Sequence, residues 1–152
     1  MDNIEPTQHE IDSFRRFMIL MPGIDDLDLI ILKGHLLIEE QLRTIVKKRI
    51  RGYIALDLDN HSWSFFHVVH LAEALCHNED DEIIWECIRK LNKIRNDIAH
   101  ILEPKGLSDR ADDLNSSWPS GFEEGNQKEL LNLTLWSMFT FLSGLARNSE
   151  IQ

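Results

Sequence analysis

Apolar residues along this chain recur at steps of three and four rather than two, and β-branched alternation between turn residues is scarce, so the pattern predicts an all-α protein of about five helices. Over about 7–20, Ile11, Phe14, Phe17, Met18 and Met21 keep the helical step, and Pro22-Gly23 ends the run. A second helix over about 26–51 starts at Asp25 or Asp26, where a carboxylate suits the positive pole of the helix dipole. Its other end, Lys47, Lys48, Arg49 and Arg51 before Gly52, suits the negative pole. A connector rich in Asp and Asn leads to SFFHVVHLAEALCH, a third helix over about 64–77. Asn78-Glu79-Asp80-Asp81 then caps a fourth over about 82–102, with Pro104 just beyond it. Residues 103–126, holding Pro104, Gly106, Pro119, Gly121 and Gly125, read as a loop long enough to suggest function or mobility. A fifth helix occupies about 127–147, and no internal repeat or low-complexity tract is visible.

The length, 152 residues, is that of one ordinary domain covering 1–152. With 43% hydrophobic and 28% charged residues the chain can build a core, which excludes a disordered or fibrous class. Asp and Glu outnumber Lys and Arg by 26 to 16, and a net charge of -10 argues against indiscriminate polyanion binding while leaving room for a local basic patch. Two cysteines, Cys76 and Cys87, are too few for a disulfide framework and lack metal-site spacing. Together with the acidic, polar start MDNIEPTQHE, where a secretion signal would be basic and then apolar, they lead us to expect a cytoplasmic protein. Leu130 to Ala146 carries no charge, but Asn132, Thr134, Ser137, Thr140 and Ser143 interrupt it, so a buried helix is expected rather than a membrane span.

The fourth helix carries the candidate chemistry. On a wheel with Leu91 at zero, Ile88, Ile94, Ile98 and Leu102 fall within about 60°, and Arg95 falls at about 40°, inside that apolar stripe. A guanidinium there needs an internal carboxylate or a charged ligand. Glu39 and Glu40 of the second helix are the candidate internal partners. Asn96 and His100 lie on the opposite face, at about 140° and about 180°. His100 alone is explained equally by its position at the negative end of a helix.

The segment Arg95-Asn96-Asp97-Ile98-Ala99-His100 resembles the signature of the HEPN superfamily, an Arg followed by a polar residue and, four to six positions on, a His. The order of the other helices is similar too: a long earlier one with HLLIEEQL, a shorter SFFHVVHLAEAL, the motif helix, then a final apolar one, so the resemblance covers about residues 25–147. The same layout resembles the mannitol operon repressor family. This likeness implies an antiparallel helical bundle of HEPN type working as a homodimer. It implies a metal-independent endoribonuclease, a toxin or defence component restrained by an antitoxin or other partner, in which Arg95 binds the scissile phosphate, His100 acts as general acid or base and Asn96 orients the histidine or a phosphate oxygen. No cofactor is implied. The repressor likeness implies instead a non-catalytic regulator that binds another protein, and nucleotide binding without turnover is a third reading. Of these we favour the nuclease.

Other candidates rank below that helix. Asp97 adds negative charge beside the proposed site, a handicap for an RNA phosphate unless Lys93 pairs with it. Lys47, Lys48, Arg49, Arg51 and Lys93 are candidate RNA contacts, with Arg43 one turn before the basic run, although solvation of a helix end accounts for that run as well. His67, His70 and Glu73 recur every three residues, but no fourth ligand is visible and no metal is expected. His35, beside Gly34, reads as a satisfied core histidine. Trp63, Trp85, Trp118 and Trp136 are too scattered for a stacking platform, Trp118 in the long loop being the one to test.

Overall fold

Thr7 opens the first helix with a reciprocal cap: its side chain accepts from the Glu10 N–H while the Glu10 carboxylate accepts from the Thr7 N–H. The computed structural model describes residues 5, 7–21, 23, 25–60, 62–119 and 122–148. In it this helix, α1, spans Gln8–Leu20 with Met21 as C-cap; Pro22, expected to stop it, lies outside the described residues. α2 spans Leu27–Arg49, opened by the Asp26 side chain accepting from the Leu29 N–H. It ends short of the expected Arg51 because Ile50 is already extended. A 3-10 turn, Tyr53–Leu56, interrupts the connector, and α3, Phe65–Leu75, begins where Ser64 accepts from the His67 N–H. A second 3-10 turn, Glu79–Asp81, is capped by Asn78 and feeds α4, Glu82–His100.

Two expectations need correction. α4 stops at His100 because Ile101 turns extended, so Leu102, assigned to the buried stripe by periodicity, is 99% exposed. The segment 103–126 is not one loop: it holds a helix, α5, Leu107–Ser117, with Ala111 and Leu114 fully buried. α6, Gln127–Arg147, follows, opened by a reciprocal cap between Asn126 and Glu129. The described residues therefore form six helices rather than about five, with no strand, packed as a single all-α domain.

α2 lies at the centre, in contact with α6, α3 and α4. Its face toward α6 is dry and close, and α6 buries Leu131, Leu135, Met138, Phe139 and Leu142. No helix among the described residues is long and apolar enough to cross a membrane. α3 runs alongside α2 in the same sense, since Phe65 stacks on His35 at one end and Arg49 donates to the Leu75 carbonyl at the other. α4 returns along α3, tied by an Arg89–Glu73 ion pair. α1 is attached by an aromatic cluster, Phe14 and Phe17 lying 5.1 and 5.2 Å from Trp136. Of its expected apolar stripe only Phe17 and Met21 are buried; Phe14 and Met18 are about half exposed.

Candidate functional site

α4 inserts Ile88, Leu91 and Ile94 into the core, which fixes the direction of the residues on either side of that stripe. Arg95 follows directly. Its half-buried side chain does not enter the core but lines a cleft of about 420 Å³ bounded by α2, the connector, the start of α3 and α4. His35, Asn60, Phe66, Asn92 and Asn96 share that cleft with it. The Arg95 Nη1 donates to Asn96 Oδ1 at 3.2 Å, so the guanidinium is aimed by its neighbour.

The internal partners considered for Arg95 are engaged elsewhere. Glu40 holds Arg16 of α1, with Nη2 to Oε2 at 2.6 Å. Glu39, which also lines the cleft, accepts from Arg43 at 2.7 Å. Arg43 in turn donates to the carbonyls of Leu58 and Trp63, so it staples the connector onto α2 and is not free to guide a ligand. Asp59 on the cleft rim is paired with Lys47 at 3.1 Å. Among the described residues Arg95 forms no ion pair, and each carboxylate of the cleft faces a cation other than Arg95.

His35 forms part of the wall. Its ring is buried, packed on Phe65 with centroids 4.2 Å apart, and its Nε2 meets Asn92 Oδ1 at 3.1 Å. An amide oxygen can only accept, so Nε2 carries the proton and Nδ1 is a bare lone pair. That Nδ1 has no hydrogen-bond partner among the described residues, the nearest carboxylate being Glu39 at 3.9 Å. Burial pushes the His35 pKa down to about 4, outweighing the Asn92 bond and Glu39, while Arg95 adds to the depression. The ring is therefore neutral at pH 7. The reading of His35 as a satisfied core histidine holds for one nitrogen and fails for the other.

His100 is exposed at the last position of α4 and does not line the cleft. Five residues separate it from Arg95, about 140° around the helix and about 7.5 Å along it, so the two side chains of one chain diverge. Asp97 is paired with Arg110 of α5 rather than with Lys93, which removes the local negative charge. The basic candidates divide. Lys47 holds Asp59 and Arg49 holds the Leu75 carbonyl, whereas Lys48, Arg51 and Lys93 are exposed.

Two lesser candidates fall away. Trp118 is not a platform in a loop: it is 6% exposed and donates from Nε1 to Ser137 Oγ at 2.9 Å. His67, His70 and Glu73 do not converge, being held by Ser64, the Phe66 carbonyl and Arg89 respectively. Among the described residues no group of three or more His, Cys, Asp or Glu side chains is placed to hold a metal ion. The feature that sequence reasoning missed is Phe66, an exposed aromatic ring on the cleft; the helical step offered a signal, since Phe65 falls in line with Val68, Val69 and Ala72 whereas Phe66 falls in line with His70 and Glu73.

Compared with known proteins, the chain matches no family model, no curated protein and no solved structure. The likeness to the HEPN signature thus rests on the residues of α4 and on the order of the helices around it.

Proposed function

We propose that this chain is a HEPN-like endoribonuclease that works as a homodimer without a metal ion, under the control of a partner such as an antitoxin. The observation that carries the reading is Arg95, a guanidinium lining a polar cleft with no ion-pair partner among the described residues. A guanidinium so placed, half-exposed and not committed to a carboxylate among the described residues, is available to an anion. A phosphate suits the planar fork of its donors. In the proposed reaction the ribose 2′-hydroxyl loses its proton to a base and attacks the adjacent phosphorus. The 5′-oxygen departs with a proton, leaving a 2′,3′-cyclic phosphate and a 5′-hydroxyl. Arg95 stabilises the charge gathering on the phosphorane oxygens, and His100, exposed to solvent, moves the proton. These two groups supply both needs of the reaction. Asn96 holds the guanidinium.

Because Arg95 and His100 diverge within one chain, the pair is completed by α4 of a second copy. The neutralisation of Asp97 by Arg110 favours an anion near this helix. The second reading, a non-catalytic regulator resembling the mannitol repressor group, is favoured by the position of His100 outside the cleft and by the acidic balance of the chain.

Incubation of single-stranded and structured RNA with the protein in chelator separates the two. The nuclease reading expects cyclic-phosphate and 5′-hydroxyl ends, loss of cleavage in His100→Ala, and a fall of about 10²–10³ in rate for Arg95→Ala with unchanged melting. Cleavage that survives His100→Ala, or its complete absence from the wild type, leaves the regulator. A strictly monomeric mass in solution removes the composite site.

A further inference from the structure

We infer that Phe66 is a stacking platform for one unpaired base, so that the Arg95 cleft takes single-stranded rather than duplex RNA. The inference rests on the proposed placement of a phosphate on Arg95 and adds the ligand's base to it. Phe65 and Phe66 are consecutive on α3, yet Phe65 is 7% exposed against His35 while Phe66 is 57% exposed. What sets Phe66 apart from the other exposed apolar side chains is its place on the polar cleft, where the open part of the ring can meet a ligand. Phe66 is also prepositioned. The His70 ring lies 4.3 Å from it, held by a 2.7 Å bond from Nδ1 to the Phe66 carbonyl, and the His67 ring lies 5.7 Å away, tied to Ser64 Oγ. Of these three rings Phe66 is the one that lines the cleft with Arg95, and the two histidines support it from behind.

The charges around the cleft point to the same ligand. Glu39 faces Arg43, Asp59 faces Lys47 and His35 is buried and neutral, which leaves Arg95 as the uncompensated charge of the cleft among the described residues. Asn96, whose Oδ1 accepts from Arg95, keeps its amide N–H groups for a base edge. One cation, neutral polar groups and an exposed aromatic face match a phosphate joined to a planar base. The volume, about 420 Å³, lies in the range of small-molecule sites. A base inside a duplex is stacked on its neighbours and cannot present its face to Phe66, so the base must be unpaired.

The test uses an RNA oligonucleotide with a single 2-aminopurine, bound to the full-length His100→Ala protein so that no cleavage intervenes. Binding is read by anisotropy and stacking by quenching of the 2-aminopurine fluorescence. We expect quenching on binding, affinity about tenfold to a hundredfold weaker in Phe66→Ala with loss of the quench, and retention of both in Phe66→Trp. The same sequence closed into a duplex is expected to bind at least tenfold more weakly. Phe66 is exposed, so its variants should melt with the parent protein. Undiminished affinity and quenching in Phe66→Ala, or equal binding of duplex and single strand, overturns the inference while leaving cleavage by the wild type to stand or fall separately. Quenching without any cleavage by the wild type keeps the platform and removes the nuclease. No binding of RNA by either protein removes both.

Discussion

Two consecutive residues of α2 sit in opposite environments. At Gly34 the helix meets α6 so closely that an added Cβ would lie 2.6 Å from Leu135 Cδ1, far inside contact distance. At His35, one position on, the same helix meets α3 and α4 through a buried imidazole, an amide and a cleft. One side of α2 is joined by shape alone, and the other by directed polar bonds around incompletely filled space. A difference in kind between the two sides predicts a difference in what disturbs them. The cleft side should respond to protons and ligands, and the α6 side to volume.

The largest expected effect on stability is the response of the cleft side to acid. Burial lowers the His35 pKa from its ordinary 6.5 to about 4, so the unfolded chain binds more protons than the folded one between those values. Stability is then complete above pH 6.5 and is lost as the pH falls toward 4, by about 3 kcal/mol if nothing rearranges. Protonation would place a charge on Nδ1, 3.9 Å from Glu39, and any closing of that gap recovers part of the loss. Urea melts at pH 7, 5.5 and 4 should show this decline in the wild type and a flatter one in His35→Phe, which keeps a ring against Phe65. Parallel curves for the two proteins would locate the acid sensitivity elsewhere and erase the contrast.

On the other side the probe is a methyl group. Gly34→Ala forces Leu135, itself fully buried, to move, and should cost about 1–3 kcal/mol, read as a lower urea midpoint with unchanged slope. Gly144→Ala on α6 is the control, because its Cβ would meet no atom within 4 Å among the described residues. There the better helix propensity of alanine should stabilise by up to about 1 kcal/mol. The comparison sharpens if Leu135→Ala offsets part of the Gly34→Ala cost, since neighbouring sites do not add. Equal effects at the two glycines would mean that the α2–α6 contact is looser than it looks.

How much of this could be read from the sequence follows from the range of each interaction. Helical periodicity is local, so the all-α class, the start of α2 at Asp26 and the stripe of Ile88, Leu91 and Ile94 were legible. α5 was also written in the pattern, in the spacing of Leu107, Ala111, Leu114 and Trp118, but Gly106, Pro119 and a run of Asp and Ser masked it. The wheel put Arg95 inside the apolar stripe, whereas the structure turns it into the cleft; the wheel had no means of telling core from cleft, because that depends on how α3 and the connector are held by Arg43. His35 depends on Asn92, 57 residues away, and no local rule reveals such a partner. Phe65 and Phe66 differ in helical phase, the first in line with Val68, Val69 and Ala72 and the second with His70 and Glu73, but only the packed neighbours put Phe66 on a cleft.

The smallest expected effect concerns the ion pair between the missed helix and the motif. Arg110 of α5 pairs with Asp97 and also donates toward the Lys105 and Gly106 carbonyls, so it fastens the turn after α4 as well as masking a charge. Both partners are 29% exposed, where an ion pair contributes at most about 1 kcal/mol. Arg110→Ala should therefore shift melting only slightly. It also uncovers the Asp97 carboxylate two residues from Arg95, which should weaken RNA binding more than it weakens the fold, increasingly so at low salt. Asp97→Asn removes the same ion pair without leaving a negative charge, and in the Arg110→Ala background it should restore binding but not stability. If both single variants bind RNA as the wild type does, α5 is a purely structural brace and the electrostatic contrast ends at the cleft itself.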